Sequence, residues 1–145
     1  MKPKNPANQA FMPLMRELVR AYQAFADYDA LGHRGTGLTT GQADVIFTLG
    51  NTPGMTFKEI GERTLITKGT LTGVIDRLEA KGLVERVAHP EDRRCTRVQL
   101  TKAGQRCFEE RFPAHVAHLQ ARFDRLSARE RDAALVSLRK LRALF

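Results

Sequence analysis

The sequence predicts a mainly α-helical protein carrying one small two-stranded antiparallel hairpin. Three observations support this. Apolar residues recur at spacings of three and four along most of the chain, the period of a helix with one buried face. Ser or Thr heads successive helical stretches, three of them with Glu or Gln three residues later, the pattern of a reciprocal N-terminal cap. Only between residues 83 and 100 does the apolar period fall to two, the strand period.

The elements follow in order. The first ten residues, with Pro3 and Pro6, read as a loose arm. A helix starts near Phe11 to Pro13, where proline is tolerated in a first turn, and ends by Gly32. Leu14, Leu18, Tyr22 and Phe25 share one of its faces. GHRGTG (32–37) is a loop. Thr39-x-x-Gln42 caps the stretch ADVIFTLG, and Asn51, Pro53 and Gly54 make a turn. Thr56-x-x-Glu59 opens the short helix FKEIGERT. Thr67 heads a helix from Lys68 to Lys81 without a Glu or Gln partner. LVERV (83–87) and TRVQL (96–100) are the strands, joined by the charged AHPEDRRC, which is too long for a two-residue turn. Thr101 caps a long helix from Lys102, in which Pro113 predicts a kink or break. Ser127-x-x-Glu130 caps the last helix.

Composition limits the function classes. The 145 residues are the size of one domain, and 42% hydrophobic with 28% charged residues is a soluble, globular balance. No apolar run approaches the roughly 18 residues of a membrane span, and MKPKNPANQA lacks the apolar core of a secretory signal. Cys95 and Cys107 are too few for a disulfide framework. A cytoplasmic protein with no membrane role is expected. The net charge is +8, which points to a polyanionic partner. Residues 21–62 hold 2 basic and 5 acidic residues, whereas 63–106 hold 10 basic and 5 acidic. The positive charge of that middle region needs its own explanation.

Three short helices followed by a hairpin with a basic tip give the order of a winged helix-turn-helix. In the helix from Lys68, Leu71, Val74, Ile75 and Leu78 share one face and pack inward. The opposite face is Gly69, Thr72, Gly73 and Asp76, flanked by Thr70 and Arg77. A glycine inside a helix costs on the order of 1 kcal/mol relative to alanine, yet both stand outward here. A helix lying in the major groove of DNA uses that lack of bulk for close approach, with Thr hydroxyls, Lys68 and Arg77 at hand for bases and phosphates. At the hairpin tip, Asp92 orders the turn while Arg93 and Arg94 reach for a groove. The bland alternatives are glycines tolerated on a solvated face and a turn of local ion pairs.

The stretch TLTGVIDRLEAKGLVERVAHPEDRRCTRVQLT (70–101) resembles the MarR family of regulators. The likeness lies in the recognition helix, the Gly-Leu-Val entry to the first strand, and Asp92, Arg94, Val98, Leu100 and Thr101 in the wing. The resemblance implies a homodimer joined by its terminal helices, with the recognition helix in the major groove and the wing in the minor groove. It implies that Asp76 ties the helix to a wing arginine, Arg94 being the candidate. It also implies an effector pocket for a small aromatic molecule, for which Phe25 and Tyr28 are candidate wall residues. Independently, Ala134, Leu138, Leu141 and Phe145 form an apolar stripe at the chain's end, with Leu135 beside it, that a partner helix would cover, the alternative being a contact with the chain's own first helix. Leu14, Leu18, Leu138, Leu141 and Phe145 are therefore the expected dimer contacts.

The organisation is a single integrated domain: 1–37 an arm and dimerisation helix, 38–101 the winged lobe, 102–145 the C-terminal dimerisation helices. No catalytic constellation emerges. Gly35, Gly37 and Gly41 miss the dinucleotide-loop spacing, and of the two serines Ser127 is a cap. His115 and His118, with Cys107 two turns earlier, are too sparse for a metal centre and read as surface histidines. Cys95, beside Arg93, Arg94 and Arg97, has neighbours that favour a thiolate, although two ordinary thiols is the plainer reading. The expected function is a ligand-responsive repressor binding double-stranded DNA as a homodimer, without cofactor, metal or enzymatic activity. The alternative is a winged-helix module that mediates protein contacts without reading DNA.

Overall fold

The computed structural model describes residues 5–145. Internal contacts divide the chain into two compact units, one ending at Thr40 and the other Gly41–Phe145. The first holds a short 3-10 turn and helix α1 (Met12–Leu31), with Pro13 in its first turn and Gly32 at its C-cap. No residue of α1 is buried, and Leu14, Leu18, Tyr22 and Phe25 are all exposed.

The second unit follows the order α2 (Thr40–Leu49, beginning at the unit boundary), β1 (Met55–Thr56), α3 (Phe57–Thr64), α4 (Lys68–Ala80), β2 (Val84–Ala88), β3 (Thr96–Leu100), α5 (Lys102–Phe123) and α6 (Ala128–Arg142). Its core comes from every one of these elements except α6: Val45, Ile46 and Leu49 of α2, Ile60 of α3, Leu71, Ile75 and Leu78 of α4, Val84 and Val98 of the hairpin, and Phe108 of α5, with Met55 closing one end. The expected inward face of the fourth helix is thus buried in full, Val74 included.

Local chemistry explains the boundaries. At α3 the Thr56 hydroxyl accepts from Glu59 N at 3.2 Å, while the Glu59 carboxylate accepts from Thr56 N at 2.8 Å. Ser127 and Glu130 repeat that exchange at α6. Gln42 is buried and its side-chain oxygen accepts from Lys81 Nζ at 3.0 Å, which ties α2 to the end of α4. Past the Lys81 cap of α4 comes Gly82, at φ +72°. Gly82 N donates to Glu79 O and Leu83 N to Leu78 O, a Schellman closure that turns the chain into β2.

Three differences from expectation have physical reasons. The sheet has three strands, because Met55 and Thr56 pair with Val98 and Arg97 on the free side of β3. Helix α5 runs unbroken through Pro113; Pro113 and Glu109 are both exposed, so water can replace the lost donor. His115 is buried, not superficial, and packs against the Phe47 ring at 5.6 Å and His118 at 5.8 Å.

The hairpin joins α5 with no spare residue. Thr101 N donates to Leu83 O at 3.1 Å, its hydroxyl donates to Gly82 O at 2.6 Å, and the same oxygen accepts from Gly104 N at 3.0 Å. A Cβ at Gly104 would collide with the Leu83 carbonyl, so the first turn of α5 presses backbone against backbone.

Candidate nucleic-acid interface

Burying Leu71, Val74, Ile75 and Leu78 turns the other face of α4 outward. Lys68, Gly69, Thr70, Thr72 and Arg77 are exposed and Gly73 is half-exposed. A Cβ at Gly69 would meet nothing within 4 Å, and one at Gly73 only Arg77 Nη1 at 3.7 Å. The protomer's own packing therefore gives no reason for glycine at either position. Among the described residues Lys68, Arg77 and Arg93 have no carboxylate within ion-pair distance. Their charges face solvent undischarged.

The wing tip is built on Asp92. Its carboxylate accepts from Arg94 N at 3.0 Å and its carbonyl from Cys95 N at 3.0 Å, while His89 N donates to Cys95 O at 3.0 Å. An Asp closing a turn on its own following backbone is a common device. The Arg94 side chain is 95% exposed, with its Nε 3.7 Å from Asp92. Arg93 is exposed beside it.

Asp76 does not pair with Arg94. It binds Arg86 of β2 in a short ion pair, and Arg86 also donates to Glu79 Oε1 at 2.9 Å. The Arg86 guanidinium lies 5.5 Å from the centre of the Phe57 ring. Arg94 is at the far tip of the hairpin, whereas β2 passes directly over α4, so the nearer arginine takes the carboxylates. The Asp76 hydrogen bond is the main cause that raises the Arg86 pKa above its ordinary value. Arg86, absent from the residues singled out in the sequence, is the link between helix and wing. Its only signal there was an arginine at an outward strand position.

Cys95 is also unlike its expectation. The Asp92 carboxylate, with Oδ2 3.6 Å from Sγ, pushes the thiol above its ordinary value, and the neighbouring arginines do not reverse this. Burial pushes Cys107 up as well. Phe25 and Tyr28 lie in the first unit, Phe25 exposed and Tyr28 half-buried. No helix of the described residues is long and apolar enough to cross a membrane.

A helix-turn-helix with a bare, cation-flanked outer face and an adjoining arginine-tipped wing defines a winged-helix DNA-binding regulator. Residues 36–94 match the family model described as MarR family. The chain is 31% identical over 124 residues to the HTH-type transcriptional regulator MhqR of Bacillus subtilis, covering 86% of each. It superposes with a TM-score of 0.78 on Bordetella bronchiseptica BpsR, a protein whose DNA binding is regulated by 6-hydroxynicotinic acid, at 30% identity over 96% of each chain. The TM-score is 0.80 with a mutant Escherichia coli MarR complexed with operator DNA, at 25% identity over 92% of this chain and 99% of that one. The chain belongs to the MarR family of winged helix-turn-helix transcriptional regulators.

Proposed function

We propose that the protein is a cytoplasmic homodimeric repressor that occupies a pseudo-palindromic operator and releases it on binding a small aromatic effector. The observation that carries DNA readout is the outer face of α4, where Gly69 and Gly73 open a path that nothing in the protomer fills. Thr70 and Thr72 line that path with hydroxyls, Lys68 and Arg77 flank it, and Arg93 and Arg94 supply wing charge for a neighbouring groove. Asp76 and Asp92 hold helix and wing in place. Paired recognition helices about 34 Å apart would read half-sites centred about 10 base pairs apart. A module built only for protein contacts would not need this combination of glycine face and free cations.

Dimerisation draws on the apolar side chains of the terminal helices. Leu14 and Leu18 on α1 are exposed, as are Leu138 on α6 and Phe145 beyond it, with Leu141 half-buried. Phe25 and Tyr28 are put forward for the effector wall.

Two variants test the reading on operator and scrambled duplexes at matched salt. Gly73→Leu should improve helix propensity by up to about 1 kcal/mol and weaken operator binding selectively. Arg93→Ala with Arg94→Ala should weaken both duplexes and flatten the dependence of log K on log salt by about one unit per lost phosphate contact. Parental operator binding by Gly73→Leu would remove α4 from the interface.

A further inference from the structure

The wing tip is closed by two turns of one kind, and one of them depends on a proton. In the second turn the Asp92 carboxylate accepts from Arg94 N, two residues on, at 3.0 Å. In the first, His89 Nδ1 accepts from Glu91 N, again two residues on, at 3.2 Å. Aspartate and asparagine are the ordinary residues for this contact with the following backbone, and at 89 an imidazole takes their place. Pro90 has no N–H, so Glu91 N is the first donor beyond the ring. His89 is half-buried at the base of the tip, its own N donating to Cys95 O at 3.0 Å. A ring nitrogen accepts only when it carries no hydrogen, so the ring is neutral with its proton on Nε2. Protonated, it has a donor at both nitrogens and meets Glu91 N with a second N–H. We propose that His89 is the positioning residue of the wing: neutral, it closes the turn that presents Arg93 and Arg94; protonated, it releases that turn and blunts operator reading.

The surroundings give a charged ring another partner. The Glu59 carboxyl of α3 is held below its ordinary value, first by the hydrogen bond from Thr56 N and in smaller part by the charge of His89. That carboxylate lies outside the hairpin, so an imidazolium drawn to it leaves the turn. The other charged groups near His89 are Glu91, Asp92, Arg93 and Arg94 of the tip itself, two of each sign. The Cys95 thiol opposite is held above its ordinary value by Asp92 and adds no charge. A proton on His89 also attracts any duplex, whatever its sequence. The turn matters only where Arg93 and Arg94 must meet a particular groove. The ratio of operator affinity to scrambled-duplex affinity therefore isolates the turn from the charge. This link to operator reading rests on the DNA-binding function proposed above, whereas the proton-controlled turn does not.

The test takes the ¹⁵N-labelled protein and two duplexes from about pH 8 to pH 5.5, the span over which histidine changes charge. One duplex is enriched from a random library and the other is its scrambled counterpart. At the alkaline end the ring ¹⁵N shifts of His89 should report the Nε2–H tautomer, and the Glu91 amide should move as the ring takes its proton. The operator-to-scrambled ratio should fall about two- to ten-fold on acidification, the worth of one hydrogen bond. His89→Asn places Oδ1 where Nδ1 stood and does not titrate, so its ratio should keep the parental alkaline value throughout. His89→Ala has no acceptor, so its ratio should be low throughout. An Nδ1–H tautomer at the alkaline end, or a Glu91 amide indifferent to the ring's titration, would overturn the turn. A parental ratio unchanged by pH, or one that falls equally in His89→Asn, would overturn the link to operator reading. If no duplex is enriched, the DNA-binding reading fails, and the turn is still decided by the ring and amide shifts.

Discussion

Two residues show how local conformation and charge set measurable properties. Leu65 closes α3 in the left-handed region, at φ 60°, with its side chain 86% exposed. A left-handed conformation costs an L-residue roughly 1–2 kcal/mol, and this leucine recovers none of it by burial. Leu65→Gly should therefore stabilise the lobe by about 1 kcal/mol, read as a higher midpoint in urea. At the wing, Asp92 raises the Cys95 thiol pKa, so at a given pH less thiolate is present than on a free cysteine. Asp92→Asn removes the negative charge, lowers the thiol pKa and increases the thiolate fraction. Iodoacetamide should then alkylate Cys95 faster at pH 8, and an unchanged rate would show that the carboxylate does not control the thiol. The arginines around Cys95 were visible in the sequence, but only the turn geometry reveals that the Asp92 carboxylate reaches the sulfur.

Among the elements, what could be read from the sequence was what depends on neighbours along the chain. The Thr56/Glu59 and Ser127/Glu130 exchanges rest on contacts within a few residues, the inward stripe of α4 and the strand at 96–100 announce themselves by a local apolar period, and each is present. Pairing across elements was not legible. Strand β1 has two residues, too few to show a period, and exists because β3 offers it a free edge. Arg86 meets Asp76 and Glu79 only after the Gly82 closure folds β2 back over α4. That joint makes a prediction of its own. Asp76→Ala leaves Glu79 on Arg86, and all three side chains are partly exposed, so the stability loss should stay below about 1 kcal/mol. Duplex affinity should fall more than stability does, because the wing is less firmly held to the recognition helix. Differential scanning calorimetry beside duplex titration separates the two, and equal proportional losses would count against a positioning role.

At the scale of the molecule, the terminal helices expose what a soluble chain ordinarily covers. Leu138 is 55% exposed, Phe145 fully so, and α6 contributes nothing to the core. Burying a leucine or phenylalanine fully is worth about 1.5–3 kcal/mol, so a few such side chains covered on each chain outweigh much of the cost of association. Removing residues 134–145 should abolish the dimer, with aggregation or unfolding, when followed by sedimentation. A folded monomer that retains full operator affinity would contradict this. The sequence disclosed the stripe at 138, 141 and 145 because a helical period survives in a linear reading, but not which surface completes it, which the proposed dimer places on another copy.

The glycines of this chain answer to different authorities. Gly104 is held by the Leu83 carbonyl against it, a constraint the protein imposes on itself. Gly69 and Gly73 are held by nothing internal. As such a regulator diverges, the first kind should stay fixed whatever promoter the protein comes to serve, because losing it parts the hairpin from the long helix in every setting. If α4 reads DNA as proposed, the second kind should drift with the promoter, each new operator admitting a different side chain in the space the old one kept empty. Ancestral reconstruction across a lineage that has changed targets would then find 104 silent while 69 and 73 record each change of address.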